Sequence, residues 1–119
     1  MRFLSIVKAA ENQGPPPQAL LDAMAKLTEA SLSDGSLIQT GGLSASSEGA
    51  RFRVSAGRLT VTDGPFSEAK EVVGGYAVLE AKSRAEALEA ARSFMQLHQQ
   101  HWPGWEGECE IRQVWFLAP

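Results

Sequence analysis

The sequence predicts an α+β protein in which two helices cover one antiparallel sheet, and three observations carry this prediction. Two long segments repeat apolar residues with the period of an α-helix, one after Pro17 and one after Ser83. The segments between and beyond them are short and β-prone. Glycine-containing turns such as Ala56-Gly57 separate them. The predicted order is β-α-β-β-β-β-α-β, a ferredoxin-like βαββαβ sandwich with an extra hairpin between its second and third strands.

The first half of the chain predicts a strand, a helix and a second strand. Residues 3–7 are apolar and β-prone, which indicates a buried first strand. The helix ends at Asp34-Gly35, because glycine readily adopts the left-handed conformation that closes helices. Residues 36–40 form a short strand, closed by Gly41-Gly42. The core-facing side of the helix has residues at helical spacing: Leu20, Ala23, Met24, Leu27 and Ser31.

The middle of the chain predicts a hairpin and a central strand. Residues 51–55 and 58–62 alternate in polarity and flank Ala56-Gly57, a two-residue turn typical of hairpins. Residues 72–80 form the central strand, which contains Gly74-Gly75. Paired glycines within a strand indicate either a bulge or the close approach of a ligand, and the bulge is the favoured interpretation.

A second helix and a last strand complete the predicted fold. Ser83 and Glu86 form a capping box, in which the serine oxygen accepts the Glu86 N–H. Residues 108–117 form the last strand, with Cys109 as a packed thiol. The apolar side of the second helix has six residues: Ala87, Leu88, Ala91, Phe94, Met95 and His98.

Chain length, net charge and cysteine content limit the number of domains, the classes of partner and the cellular compartment that we expect. The 119 residues predict one domain, residues 1–119. A chain of this size buries only about two-thirds of its surface on folding, which favours association with a second copy. The net charge of −3, with no basic cluster, disfavours nucleic acid and anionic membrane surfaces as partners. The single cysteine allows no intrachain disulfide, and no apolar run has the length of a membrane span. We therefore expect a cytoplasmic protein.

One motif and the segments after it resemble a known family. The motif is the run Asp63-Gly64-Pro65-Phe66-Ser67-Glu68-Ala69-Lys70-Glu71, followed by Val73-Gly74-Gly75-Tyr76. It resembles the signature of the YCII-related bacterial proteins of DGPF type, named after the first four residues of the run. Residues 83–91 and 110–114 also resemble the family's second helix and closing strand. Gln113 stands where the family usually has proline.

The resemblance implies a quaternary structure and a genomic context. It implies a dimeric α/β barrel, in which two such sheets pack face to face with the helices outside. Each protomer would then have a cleft between sheet and helices or near the dimer seam. Many relatives are encoded beside sigma factors of the extracytoplasmic-function type, which implies a sigma-factor-associated partner. The His-Asp pair proposed as catalytic in the YCII proteins proper cannot be carried over, because its histidine matches no position here.

Asp63 is the candidate catalytic residue. It shares a strand face with Leu59 and Val61 and begins a tight turn. We expect it at the mouth of a cleft, where a raised pKa would suit a general base. The alternative, which the residue pattern favours, is an Asx-turn in which the carboxylate accepts N–H groups of its own turn.

Further residues are candidates for binding a ligand: Glu68, Lys70, Tyr76, Arg112 and His98. Each has a structural alternative, namely an ion pair between Glu68 and Lys70, a core role for Tyr76, and a cross-strand ion pair at Arg112 and nearby Glu110. His98 and His101 are spaced to share a metal ion, but no third ligand joins them. We therefore expect no metal and no other cofactor.

Two functions are consistent with these residues. The first is a homodimer with a cleft for a small molecule, linked to sigma-factor-dependent regulation. The second is a small-molecule isomerase, lyase or hydrolase in which Asp63 acts as the general base and Lys70 or Arg112 steadies an anionic substrate. We favour the first hypothesis, because the sequence contains no complete set of acid and base residues.

Overall fold

A computed structural model describes residues 1–66 and 70–115 of the protein. The described residues form two helices, six strands and one short 3-10 turn at Ser46–Glu48. The elements, in chain order, are β1 (Arg2–Ala9), α1 (Gln18–Ser33), β2 (Leu37–Gly42), β3 (Ala50–Ser55), β4 (Arg58–Asp63), β5 (Val72–Glu80), α2 (Arg84–His101) and β6 (Gly107–Gln113). The predicted element order is therefore confirmed.

Four of the strands form one antiparallel sheet in the order β2-β5-β1-β6. This order is compatible with the ferredoxin-like arrangement, because β1 and β5, the strands that directly precede α1 and α2, are the two central strands of the sheet. The helices cover the sheet face that carries Phe3, which packs with Ala81 and Ala87 in a small core. The mixed α+β architecture is thus confirmed, and β3 and β4 form a separate two-stranded sheet.

Two strand boundaries differ from the prediction. The last strand was expected to reach Leu117, but β6 ends at Gln113. Its partner strand β1 begins at Arg2, so the pairing of the two strands ends close to the pair Phe3–Gln113. Residues 116–119 lie outside the described residues. The second strand was expected to end before Gly41-Gly42, but β2 includes both glycines, because β5 continues beside them and supplies pairing partners.

The paired glycines of β5 form the bulge that the sequence favoured. Val7 of β1 pairs with Gly75 and Lys8 pairs with Val73, which leaves Gly74 as the extra residue. The Gly74 carbonyl, released from this pairing, accepts the Leu43 N–H at 2.9 Å. The bulge therefore ties the end of β2 to β5.

The chain leaves more surface uncovered than a compact domain of its size. Among the described residues, the buried apolar side chains are few: Phe3, Leu20, Leu37, Ala81 and Ala87. The accessible surface is 8526 Å², whereas a compact monomer of this mass exposes about 6,300 Å². The radius of gyration is 16.1 Å, against about 13.5 Å for a compact chain of this length. The molecule is flat, at 45 × 41 × 19 Å.

The hairpin of β3 and β4 projects from the sheet, and we call it the arm (residues 50–63). Its tip is the predicted tight turn, in which Ala56 and Gly57 both have positive φ, as a type I′ turn requires. Every residue of both strands is exposed. Neither strand makes a substantial contact with another described helix or strand. Among the described residues, the arm is attached to the rest of the chain mainly at its base.

The base of the arm is a polar anchor. The Glu11 carboxylate accepts the Ser46 N–H at 2.7 Å and the Ser46 hydroxyl at 2.5 Å. These two hydrogen bonds hold the pKa of Glu11 below its ordinary value. Ser46 Oγ in turn accepts the Phe66 N–H at 3.4 Å. The guanidinium of Arg51 lies over the Phe66 ring, 3.9 Å from its centroid.

The motif residue Gly64 closes this base. Its N–H donates to the Gly49 carbonyl at 2.9 Å, and its bond to Pro65 is cis. A Cβ at Gly64 would lie only 1.6 Å from the Ser46 carbonyl oxygen, so no side chain fits there without a backbone shift. The Gly-Pro-Phe part of the motif is thus a structural corner that attaches the arm to the rest of the chain.

We expect Gly64→Ala to destabilise the protein, because the added methyl group must displace the Ser46 backbone. The expected loss is about 1–3 kcal/mol in the free energy of unfolding, the usual effect of an overpacked site, measured by urea denaturation. Gly74→Ala is the matched control, because a Cβ at Gly74 meets nothing within 4 Å. Equal stability of the two variants would contradict the close approach at Gly64.

Candidate functional site

A cavity of about 660 Å³ lies between the helices and the sheet. Its volume is in the range of small-molecule sites, which is roughly 300–1,000 Å³. One wall comes from α1 and α2 and the other from β1, β2 and β5. Most of the exposed lining is apolar. Representative apolar residues of the walls are Val7, Met24, Leu27, Leu37, Leu79 and Phe94.

Small side chains explain why this space is unfilled. The sheet contributes Ser5 and Ala77, which are cross-strand partners in β1 and β5. Opposite them, α2 contributes Ala87, Ala90 and Ala91. Side chains this short cannot fill the gap of roughly 10 Å that separates packed layers. The cavity is therefore encoded by the alanine-rich face of α2.

An aromatic cluster closes one end of the cavity, formed by Phe94, His98, Trp102 and Trp105. The ring centroids of Phe94 and His98 are 4.9 Å apart, those of His98 and Trp105 4.7 Å, and those of the two tryptophans 5.8 Å. Trp105 reaches the cluster because the chain reverses after α2. A Cβ at Gly107 would lie 2.4 Å from the Trp105 ring, so glycine is needed for this close packing.

His98 is the histidine of this cluster, and only 7% of its surface is exposed. Its Nδ1 lies 3.2 Å from the Phe94 carbonyl oxygen, one helical turn earlier. Because a carbonyl only accepts, Nδ1 carries the proton, and in the neutral ring Nε2 is an acceptor. Burial lowers the pKa of His98, which keeps the ring neutral near neutral pH. The cavity wall thus contains a hydrogen-bond acceptor in an aromatic setting.

Tyr76 is the second sequence-predicted residue that borders the cavity. It is half-buried in β5, and its ring covers Gly41 of the neighbouring strand. A Cβ at Gly41 would lie 3.0 Å from the Tyr76 ring. This contact explains why β2 has a glycine at that position. Tyr76 pairs with Ile6 of β1, so its ring lies on the sheet face without helices. Of the described candidates, His98 is therefore the one whose side chain the structure brings to the cavity.

The other candidates lie elsewhere. Asp63 and Lys70 are exposed and are not among the described residues of the cavity wall. Within the described part of the chain, the Asp63 carboxylate accepts no hydrogen bond from its turn. Arg112 borders a separate hollow of about 370 Å³ that also includes Arg84 and Trp115. Glu68 lies outside the described residues.

Glu110 forms the cross-strand ion pair that the sequence suggested. Its carboxylate accepts from Lys8 of β1 at 2.7 Å, and Arg112 of the same strand lies 3.5 Å away. The hydrogen bond and the charge of Lys8 lower the pKa of Glu110, and Glu110 raises that of Lys8. Both side chains are partly exposed, so the pair contributes little to stability.

Sequence reasoning missed two parts of the site. Trp102 and Trp105 are not among the sequence-predicted candidates, although three tryptophans in so short a chain are a signal of an aromatic site. The alanine face of α2 was interpreted as ordinary core. The small residues Ser5 and Ala9 of β1 and Gly75 and Ala77 of β5 would have pointed to an unfilled space opposite it.

Comparison with known proteins gives the family. The model of the YCII-related domain matches residues 1–98, which include β1 to most of α2. The chain belongs to the YCII-related family. The match ends at His98, so the tryptophans and β6 of this YCII-related protein lie beyond it. No curated protein matches the chain.

The described residues contain neither a membrane-spanning helix nor a cluster of metal ligands. Neither described helix combines the length and the hydropathy required to cross a bilayer. Within residues 1–66 and 70–115, no three His, Cys, Asp or Glu side chains are grouped in a way that could hold a metal ion.

We expect His98 to make stability depend on pH. Its pKa is lowered by folding, so the unfolded state takes up a proton first as the pH falls below the ordinary value of 6.5. The stabilising effect is complete above that value and is lost as the pH falls towards the folded pKa. Urea denaturation at a series of pH values should show this loss in the wild type and in His101→Phe, and a smaller loss in His98→Phe. Equal slopes in all three proteins would contradict a buried, neutral His98.

Proposed function

We propose that this YCII-related protein is a homodimer of DGPF type that binds a small, largely apolar molecule between its helices and its sheet. One observation carries the proposal: a cavity of about 660 Å³ with apolar walls and an aromatic end that contains a neutral imidazole. A cavity with few polar groups among apolar walls is the usual form of a small-molecule site.

The walls define the class of ligand. Among the described residues, the cavity lining includes the glutamates Glu80 and Glu86 but no lysine or arginine, so an anion would lose its hydration without gaining a cation. The aromatic cluster favours a planar or aromatic body. His98 Nε2, as an acceptor, favours one N–H or O–H donor on that body. A compact, uncharged aromatic alcohol or amine has these features.

The homodimer is supported by the uncovered surface. The excess over a compact monomer is about 2,200 Å² per chain, whereas a standard interface buries about 800 Å² on each partner. Face-to-face packing of two sheets, which the family resemblance implies, would cover the sheet face without helices. We further propose that residues 1–119 form a single domain and that the protein is cytoplasmic. The link to a sigma-factor system stays a prediction.

The position of Asp63 makes ligand binding a better-supported function than catalysis with Asp63 as the general base. This residue lies at the exposed base of the arm and outside the cavity wall, whereas a general base must reach the bound molecule. The ligand-binding candidates Lys70 and Arg112 are likewise outside the cavity. The isomerase, lyase or hydrolase hypothesis therefore has no support from the cavity geometry.

We expect the cavity to bind naphthol more tightly than methoxynaphthalene, because only naphthol can donate a hydrogen bond to His98. A net hydrogen bond of about 0.5–1.5 kcal/mol corresponds to a preference of roughly two- to twelvefold. Calorimetric titration of both compounds measures it. His98→Phe, which keeps a ring but removes the acceptor, should abolish the preference. His101→Phe is the matched control, because His101 is on the same helix but not on the cavity wall.

Acid should also weaken the binding of naphthol, because protonation of His98 removes the acceptor. If neither compound binds, or if His98→Phe retains the preference, the proposed site is wrong. A ligand that binds the folded state raises its stability by mass action, so thermal-shift measurements with both compounds should give the same order of affinity as calorimetry.

A further inference from the structure

The connection between α2 and β6 carries both tryptophans of the aromatic cluster, and we call it the aromatic loop (residues 102–106). The Trp102 N–H donates to the His98 carbonyl at 3.0 Å, and the Trp105 N–H donates to the Trp102 carbonyl at 3.2 Å. Gly104 between them has a φ of 84°, a left-handed conformation that favours glycine. These contacts are local to the end of α2. They shape the loop, but they do not hold it against another part of the chain.

Gln13, in the connection between β1 and α1, binds the end of the aromatic loop. Its Oε1 accepts the Glu106 N–H at 2.8 Å, and its Nε2 donates to the Glu106 carbonyl at 2.8 Å. Nε2 also donates to the Ala10 carbonyl at 3.1 Å. Gln13 is half-buried, whereas Asn12 and Gly14 beside it are exposed. The side-chain amide therefore uses both of its N–H donors and its carbonyl acceptor within the protein.

The two bonds to Glu106 replace a strand partner. Backbone pairing between β1 and β6 extends to Ala9 and Gly107, so Glu106 is the first residue beyond the pairing. Within the described part of the chain, its N–H and its carbonyl both bond to the Gln13 side chain. An amide side chain has the same donor and acceptor as a peptide group, so it can take the place of the next residue of β1. Gln13 thus fixes the backbone beside Trp105.

Trp105 is the ring whose position depends on this backbone. It is joined to Glu106 by one peptide bond, and its ring centroid lies 4.7 Å from that of His98. The aromatic loop lies beyond residues 1–98, which the family model matches, whereas Gln13 lies within them. The position of the tryptophan rings therefore has to follow from contacts of this chain, and Gln13 provides a contact from the matched part of the fold.

We propose that Gln13 is a positioning residue for the ligand site, because its bonds to Glu106 hold the Trp105 ring against His98. This inference rests on the cavity ligand of the proposed function and assigns a determinant of that ligand's affinity. Gln13 is not among the described residues of the cavity wall, whereas Trp105 is, so Gln13 acts through Trp105. A ring that is already held in place loses less freedom when the ligand binds, which raises the affinity.

The bonds to Glu106 can be lost without unfolding the protein. Both are accessible to solvent, so water can satisfy the Glu106 N–H and carbonyl when the amide is absent. The pairing of β1 with β6 and the backbone bonds of α2 do not involve the Gln13 side chain. We therefore expect loss of the Gln13 amide to release the aromatic loop and to affect ligand binding more than folding.

The test compares Gln13→Met with Gln18→Met. Both variants replace a glutamine amide by a thioether of similar length, but Gln18 is exposed on α1 and donates to Asp22 instead of the aromatic loop. In calorimetric titrations of Gln13→Met, the dissociation constant of naphthol should rise roughly two- to twelvefold, the effect of one net hydrogen bond. Methoxynaphthalene should lose affinity by the same factor, because its rings contact Trp105 with or without a hydroxyl group. Gln18→Met should bind both compounds as the wild type does.

Two further measurements separate positioning of Trp105 from a general structural role of Gln13. In a Trp105→Leu background, Gln13→Met should no longer change the affinity, because no indole ring remains to be held. In a Trp115→Phe background, the two remaining tryptophans are those of the aromatic loop. Acrylamide should then quench their fluorescence more strongly in Gln13→Met than in Gln18→Met.

The outcomes distinguish this inference from the proposed function. If the wild type binds neither compound, both the proposed function and the role of Gln13 are wrong. If the wild type binds but Gln13→Met binds as tightly as Gln18→Met, or if acrylamide quenches both variants equally, the role of Gln13 alone is wrong. An undiminished effect of Gln13→Met in the Trp105→Leu background would also overturn it. If circular dichroism shows that Gln13→Met is unfolded, Gln13→Asn replaces it, because its amide is one methylene shorter and cannot make both bonds to Glu106.

Discussion

The central constraint on this structure is that the chain has too few helices and strands to bury all of its apolar surface. Two helices cover one face of a four-stranded sheet, and the other face and the arm have no cover within the described chain. A domain of this size is already at the lower limit at which one chain can supply its own core. The flat shape and the few buried side chains are consequences of that limit. The proposed association with a second copy would supply the missing surface.

The same shortage allows a cavity inside the protomer. If a partner contributes much of the stabilising burial, the layer between helices and sheet need not be densely filled. Here it contains alanines on α2 and small residues on β1 and β5, with aromatic rings only at one end. A cavity normally reduces stability in proportion to its volume. Binding of a ligand there would recover part of this loss, which links the cavity to function.

The sequence predicted local structure well and distances between elements poorly. The faces of both helices follow from the 3.6-residue period, and the arm follows from the turn at Ala56-Gly57. The end of β6 was predicted wrongly, because a strand ends where its partner ends and not where its own β-propensity does. The distance of Asp63 from the cavity depends on the direction in which the arm leaves the sheet. No local sequence pattern predicts that direction, and none predicts the contact between the Trp105 and His98 rings.

The most direct test of this account is the dependence of unfolding on protein concentration. If the folded state is a dimer and the unfolded state a monomer, a hundredfold increase in concentration raises the apparent free energy of unfolding by about 2.7 kcal/mol. The midpoint of urea denaturation should then rise by roughly 1 M or more between micromolar and hundredfold higher concentration. The same midpoint at both concentrations, with a well-folded monomer in sedimentation, would contradict the account.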